Sequence, residues 1–145
     1  MSNTTNLKPT ALFWTVAIAA VIWNILGVMA YVMEVTMTEE TLAALPEAQQ
    51  ALYAAQPAWV TGAFAIAVFA GLAGSIALLL RKRIATTIFA VSLVAVIVQM
   101  FYAFAMSDML AVMGPGTAIM PILIIVFAIA LVWFSASARG KGWIG

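Results

Sequence analysis

The sequence predicts an all-α membrane protein: one bundle of four transmembrane helices, with both termini cytoplasmic and short amphipathic helices in the first outer loop. Three observations predict it, namely the composition, four long uncharged apolar runs and the distribution of charge. Of the 145 residues, 66% are apolar and only 8% are charged, whereas soluble domains carry about 25% charged residues. Polar side chains are too few to cover a soluble surface, which excludes a soluble globule and also a disordered chain.

Four apolar runs are each long enough to cross a bilayer, which takes about 20 residues of helix. They span residues 11–33, 58–80, 84–106 and 116–138, and none contains Asp, Glu, Lys or Arg. Apolar residues are continuous in these runs rather than alternating, which favours helices over the strands of a barrel. The chain is therefore predicted to form a single transmembrane domain, residues 1–145.

Charged residues separate completely by sign between the two sides of this predicted bundle. The basic residues are Lys8, Arg81, Lys82, Arg83, Arg139 and Lys141, and the acidic residues are Glu34, Glu39, Glu40, Glu47 and Asp108. With four crossings, the N-terminus, the second loop and the tail share one side, and all the basic residues fall there. Short basic loops stay cytoplasmic, so we expect a bacterial inner-membrane protein with both termini inside.

A cleaved signal peptide is the alternative interpretation of the N-terminal run. Lys8 precedes it, and the small residue Ala30 stands near its end. The run exceeds the apolar core of about 7–15 residues that is usual in signal peptides. An intact-mass measurement distinguishes cleavage from a retained first helix.

The first outer loop, residues 34–57, has the signals of two short helices. Thr38 is a suitable N-cap, and Glu39 and Glu40 suit the positive end of a helix dipole. Pro46 suits the start of a second helix. An apolar side is provided by Leu42, Leu45, Leu52 and Tyr53. We expect amphipathic helices covering the mouth of the bundle, with a partly ordered connector as the alternative.

Small residues recur along one face of the second apolar run. They are Ala63, Ala67, Gly71, Gly74 and Ser75. Small residues let helix backbones approach closely, which drives helix association in lipid. This face is either the packing centre of the bundle or the contact of a homo-oligomer, and the sequence leaves both open.

Polar residues at membrane depth are costly and are functional candidates. Counted at 1.5 Å per residue, Asn24, Gln99 and Pro121 lie about 21, 24 and 27 Å from the basic end. Pro121 is also expected to free the carbonyl of Thr117 and let its helix bend. Together these four residues predict a pocket that hydrogen-bonds a small solute. The alternative is that Asn24 and Gln99 bond each other, or nearby carbonyls, to link helices.

Methionines at helical spacing suggest a third, less favoured hypothesis. Met29, Met33 and Met37 place three thioethers along one helix face, and thioethers suit Cu(I). Methionine also commonly fills gaps in apolar cores, so copper handling ranks below the solute pocket.

Enzyme chemistry is not expected, and no cofactor is predicted. The chain contains no His and no Cys, which excludes His–Cys metal sites, a Cys nucleophile and a His general base. The Gly71-x-x-Gly74 sequence lies inside a membrane run and lacks the context of a phosphate loop. Expected partners are lipids and a second copy or another membrane protein, and no nucleic acid.

Stretches distributed over nearly the whole chain carry a family resemblance. They are Trp23-Asn24 with Gly27 and Tyr31, then residues 35–38, 42–48, 57–68, 98–100 and 118–121. In these stretches the chain resembles a family of small bacterial four-helix inner-membrane proteins of unknown function, often labelled sugar transporters. The resemblance implies a multi-pass inner-membrane protein, and the matching stretches include Asn24, Gln99 and Pro121.

The sequence therefore favours a transporter, or a solute-binding membrane subunit, for a small neutral or polar molecule. The alternative is a non-transporting accessory or scaffold subunit that docks on a larger membrane complex through its small-residue face. One bundle of this size leaves little room for a pathway, so a transporter is expected to work as a dimer or larger assembly.

Overall fold

The computed structural model describes residues 8–145, and all regular secondary structure in that range is helical. The helices are α1 (Ala11–Val35), α2 (Glu39–Ala43), α3 (Glu47–Ala55), α4 (Ala58–Leu79), α5 (Ile84–Phe101), α6 (Met109–Met113) and α7 (Ile119–Gly140). A π-helical turn, Tyr102–Met106, extends α5, and a 3-10 turn, Pro115–Ala118, precedes α7.

Four of these segments are long and apolar enough to cross a membrane. They are Ala11–Val35, Ala58–Leu79, Ile84–Met106 and Pro115–Gly140. The prediction of a multi-pass membrane protein with four spanning helices is confirmed at this level. The predicted run 84–106 coincides with its span, and the ends of the other runs differ from the observed spans by at most two residues, as is usual for helix boundaries.

The bundle has two ends, which we name by their contents. The tail end holds Thr10, the α4–α5 turn and residues 141–145, and the loop end holds residues 36–57 and 107–118. Between them α4 packs against both α1 and α5, and α5 packs against α7. Helices α1 and α7 approach each other less closely and meet through aromatic rings, which leaves a seam between them.

The tail end is closed by apolar packing and by the folded-back tail. Phe13, Leu78 and Ile144 are almost fully buried in one cluster there. Arg81 adopts a left-handed backbone conformation with φ of 59°. Its Nε donates a hydrogen bond of 2.7 Å to the carbonyl of Trp143. In return, the backbone N–H of Gly145 donates to the Arg81 carbonyl at 3.0 Å.

Pro121 lies in the first turn of α7, so the expectation that it bends the helix from within is wrong. The regular helix begins at Ile119, and the residues before it form the 3-10 turn. Proline lacks an N–H and clashes with the carbonyl four residues earlier, but the first turn of a helix needs no internal donor. Starting α7 two residues before Pro121 avoids the break.

The loop end contains short helices in its first segment. The Thr38 hydroxyl accepts a hydrogen bond of 3.1 Å from the N–H of Thr41 and so caps α2. Gln50 on α3 donates to the Leu45 carbonyl at 2.7 Å and holds α3 to the turn that precedes it. Half-buried apolar residues on this segment are Leu42, Leu45 and Leu52.

Candidate functional site

A cavity of about 370 Å³ lies in the centre of the bundle, where all four spanning helices contribute to its wall. Its polar lining residues are Asn24 on α1 and Ser92 and Gln99 on α5. The remaining lining is apolar or glycine, with Phe64, Ile124 and others. No residue with a formal charge lines it. The volume falls in the lower part of the range of about 300–1,000 Å³ typical of ligand pockets.

Asn24 lines this cavity, and its amide oxygen lies against Gly71. The side chain is only 9% exposed, and its Nδ2 donates a hydrogen bond of 2.8 Å to the Ala20 carbonyl. Because a carbonyl can only accept, this bond fixes which end of the amide is nitrogen. Among residues 8–145, nothing donates a hydrogen bond to Oδ1. A cavity-lining residue therefore carries an acceptor with no donor among the described residues.

Gly71 on α4 makes room for that oxygen. A β carbon at position 71 would overlap Asn24 Oδ1, and it would also lie 3.3 Å from Ser92 Oγ. The Ser92 hydroxyl itself donates to the Ala67 carbonyl of α4 at 2.7 Å. Helices α1, α4 and α5 therefore meet closely at the level of Asn24, and that approach requires glycine at position 71.

Gln99 stands between the central cavity and a second hollow at the loop end. It lines both, and its amide makes no hydrogen bond within the described part of the chain. The alternative in which Asn24 and Gln99 bond each other is therefore wrong. Asn24 bonds a carbonyl of its own helix instead, because the i−4 carbonyl is within reach of a short side chain.

The second hollow, which we call the loop-end hollow, has a volume of about 230 Å³. Gln56 Nε2 donates to Glu34 Oε2 at 3.3 Å and to Thr61 Oγ1 at 2.9 Å. The hydroxyl of Tyr102 donates to the Ala55 carbonyl at 3.3 Å. These bonds tie the end of α3 to α1, α4 and the π turn, so that α3 forms part of the wall of the hollow.

The four residues predicted for a solute pocket are only partly brought together. Asn24 and Gln99 line the central cavity, and Pro121 lines the loop-end hollow with Gln99. Thr117 lines neither, and its hydroxyl donates to the Gly114 carbonyl at 2.6 Å within the 3-10 turn. The hydroxyl of Thr117 therefore forms its hydrogen bond within the local turn and not with a group in either hollow.

A third hollow, which we call the seam groove, follows the α1–α7 seam toward the tail end and has a volume of about 400 Å³. Its lining is apolar: Val16, Ala19 and Ala20 on α1, and Phe127, Ala130, Leu131, Trp133 and Phe134 on α7, with Trp23 between them. Trp23 packs edge-on against Phe127, with ring centroids 4.7 Å apart. Trp23 and Leu131 line the central cavity as well.

Sequence reasoning missed Ser92, Trp23 and the pairing of Gly71 with Asn24. Ser92 had a detectable signal, because it is a polar residue at membrane depth seven positions before Gln99 and so on the same helix face. No sequence pattern indicates that Gly71 contacts Asn24, because which residue of α1 faces Gly71 depends on how α1 is rotated about its axis.

The small-residue face of α4 is used inside the bundle. Its members Ala63, Ala67, Gly71, Gly74 and Ser75 are all buried. A β carbon at Gly74 would lie 2.8 Å from Cδ1 of Phe89, so this glycine admits an aromatic ring of α5. This intramolecular position leaves the face unavailable to a second chain, and an oligomer or a partner would have to use another surface.

The methionines proposed for copper lie away from the central cavity. Met29 and Met33 are 53% and 69% exposed on α1, and Met37 follows the end of that helix. Within residues 8–145 there is no group of three or more His, Cys, Asp or Glu residues that could hold a metal ion.

No family model matches the chain, and no curated protein or solved structure shows significant similarity to it. The resemblance to small four-helix inner-membrane proteins therefore stays a prediction. Any functional proposal for this protein depends on the residues of its own cavities.

Proposed function

We propose that this protein binds a small neutral molecule in its central cavity, as a transporter or as the solute-binding membrane subunit of one. The observation that carries the proposal is the unpaired Oδ1 of Asn24. An acceptor fully withdrawn from water without a donor costs about 1–3 kcal/mol. Oδ1 is not fully enclosed by protein, and Asn24 lines the cavity. A ligand hydroxyl or N–H placed there restores the missing hydrogen bond.

The lining of the cavity selects for a neutral and largely apolar ligand. A charged ligand would enter an apolar region without a residue of opposite charge, which is strongly unfavourable. Asn24 and Gln99 offer the amide groups of the lining, and Trp23 adds one indole N–H. Ser92 already donates to a backbone carbonyl, so its hydroxyl can only accept. A sugar would leave most of its hydroxyls unpaired. The geometry therefore favours one or two polar groups on an apolar body over the sugars implied by the family resemblance.

The proposed setting is the bacterial inner membrane, with the tail end in the cytoplasm. All six Lys and Arg residues flank the tail end of the spanning helices, and all five acidic residues flank the loop end. Short basic segments are retained in the cytoplasm. On this orientation α2 and α3 are amphipathic helices on the outer surface, and the loop-end hollow is the aqueous approach to Gln99.

A ligand panel tests the proposal on the full chain in lipid nanodiscs. The panel runs from glucose and glycerol through butanediol to cyclohexanol and benzyl alcohol, and the measurement is thermal unfolding. A ligand that binds only the folded state raises stability by RT ln(1 + [L]/Kd). We expect the largest shifts from the alcohols with one or two hydroxyls, and smaller shifts from the same alcohols in Asn24→Leu and Gln99→Leu.

The control is Thr87→Val, an exposed position on α5 that lines none of the three hollows. It should keep every shift of the wild-type protein. Ligands that stabilise the wild type are then tested for uptake into proteoliposomes. Shifts that are equal in wild type and Asn24→Leu for every compound would contradict the proposal, and a shift from glucose alone would favour the sugar function.

A further inference from the structure

The central cavity and the seam groove share part of their lining. Trp23 and Leu131 line both, so the two spaces adjoin on either side of the Trp23–Phe127 ring contact. The groove contains no charged or amide side chain. The two adjoining spaces, taken together, therefore have amide side chains at one end, beside Asn24, and aliphatic and aromatic side chains along the rest.

The same combined space opens sideways, between α1 and α7. Leu26 on α1 and Met120 on α7 line the central cavity and are each 55% exposed. Farther along the seam, Trp133 lines the groove and is 69% exposed. In a spanning bundle these exposed apolar edges contact lipid chains, so a molecule dissolved in the bilayer reaches the cavity without crossing the loop end.

We infer that the ligand is a neutral single-chain amphiphile with a hydroxyl head group. Its hydroxyl occupies the central cavity beside Asn24 and Gln99, and its hydrocarbon chain lies in the groove between α1 and α7. This inference rests on the proposed function and names its substrate class. A hydroxyl fits because it donates to Asn24 Oδ1 while accepting from the amide of Gln99.

The preference for an alcohol over an alkane is expected to come from the hydroxyl head group rather than from the hydrocarbon chain. Lipid tails are as apolar as the groove, so moving a chain from the bilayer into the groove gains little from the hydrophobic effect. The hydroxyl, by contrast, exchanges partners at the hydrated bilayer surface for two amides, and each such bond contributes a net factor of about five. An alcohol should therefore bind more tightly than an alkane of equal length.

The test uses hexadecanol that carries a photoreactive diazirine in its chain, added to the full-length protein in nanodiscs. After irradiation, mass spectrometry of peptides maps the labelled residues. We expect labels on the groove-lining faces of α1 and α7, with Val16, Ala19 and Ala130 among them. Unlabelled hexadecanol should compete with the label, and hexadecane at equal concentration should not.

Two variants separate the head group from the chain. Asn24→Leu removes the acceptor while keeping the branched shape, and it should weaken hexadecanol competition on the order of fivefold, the equivalent of one neutral hydrogen bond. Ala130→Trp fills the groove and should lower groove labelling by a similar or larger factor, while benzyl alcohol still stabilises the protein. Ala90→Trp is the matched control, since Ala90 is an exposed α5 position outside the three hollows.

The possible results have distinct meanings. Suppose that Ala130→Trp is labelled like the wild type while hexadecanol competes more weakly in Asn24→Leu. That result would disprove the position of the hydrocarbon chain but would agree with the proposed function. Equal competition by hexadecane and hexadecanol would overturn the head-group contact. If Asn24→Leu also retained every stabilisation by small alcohols, the proposed function would fail with it. Circular dichroism and a single elution peak verify that each variant is folded.

Discussion

The amide oxygen of Asn24 occupies the space that a β carbon of residue 71 would need, so α1 and α4 fit together only because position 71 is glycine. This contact matters both for helix packing and for the proposed binding site, because Asn24 lines the central cavity. Gly71 brings the helices close, and the same closeness holds the Asn24 side chain in one orientation, with Nδ2 on the Ala20 carbonyl and Oδ1 against Gly71.

Gly71→Ala should therefore lower the stability of the bundle and disturb the cavity. Alanine normally stabilises a helix interior relative to glycine by about 0.5–1 kcal/mol. At position 71 the added methyl group overlaps Asn24 Oδ1 and crowds Ser92, and such overpacking costs about 1–3 kcal/mol. Thermal unfolding in nanodiscs should show a decrease for this variant, together with weaker stabilisation by benzyl alcohol.

Gly62→Ala is the matched control for Gly71→Ala, because it lies on the same helix with open space around its Cα. It should raise the unfolding temperature slightly or leave it unchanged. If Gly71→Ala behaved in the same way, the close contact with Asn24 would be disproved.

The sequence alone predicts the spanning helices and part of the candidate site, and the physical reason differs from residue to residue. Uncharged apolar runs and the separation of charges predict the spans directly, since the bilayer imposes both. Counting residues from the basic end placed Asn24 and Gln99 at similar depth, and they do line one cavity. Depth does not give rotation about a helix axis, so neither the contact with Gly71 nor the unpaired Oδ1 could be predicted.

Pro121 and the C-terminal tail show two further features that the sequence alone does not predict. A hydropathy run does not indicate where regular α-helix begins, so Pro121 was expected inside a helix and lies in its first turn. Arg81 was explained by topology alone, yet its Nε bonds a carbonyl 62 residues away. A contact between such distant residues needs the assembled bundle and leaves no periodic pattern in the chain.

Ile144→Ala should destabilise the tail end of the bundle. Ile144 is 2% exposed in the cluster with Phe13 and Leu78. Removing a buried Ile side chain to Cβ typically costs about 2–5 kcal/mol. The unfolding temperature should fall clearly, and Ile129→Ala, at a half-exposed position of α7, should have much less effect. Equal effects of the two substitutions would show that the tail does not pack into the bundle.

Reporter fusions test the orientation of the bundle. Green fluorescent protein fused after Gly145 should fluoresce, and alkaline phosphatase fused there should be inactive, because both termini are proposed to be cytoplasmic. Fusions after Gly114, in the segment between the third and fourth spans, should give the opposite pair of results. Phosphatase activity at Gly145 with fluorescence at Gly114 would invert the proposed topology and make the loop end cytoplasmic.

Thr86→Val should stabilise the protein, although it removes a hydroxyl group that is able to form hydrogen bonds. The hydroxyl of Thr86 is buried and has no hydrogen-bond partner among the described residues. An unpaired buried hydroxyl costs about 1–3 kcal/mol, and valine keeps the branched shape while removing it. We expect a higher unfolding temperature for Thr86→Val and little change for Thr87→Val, whose side chain is exposed. A decrease for Thr86→Val would mean that this hydroxyl has a partner in the membrane-embedded protein, such as an ordered water.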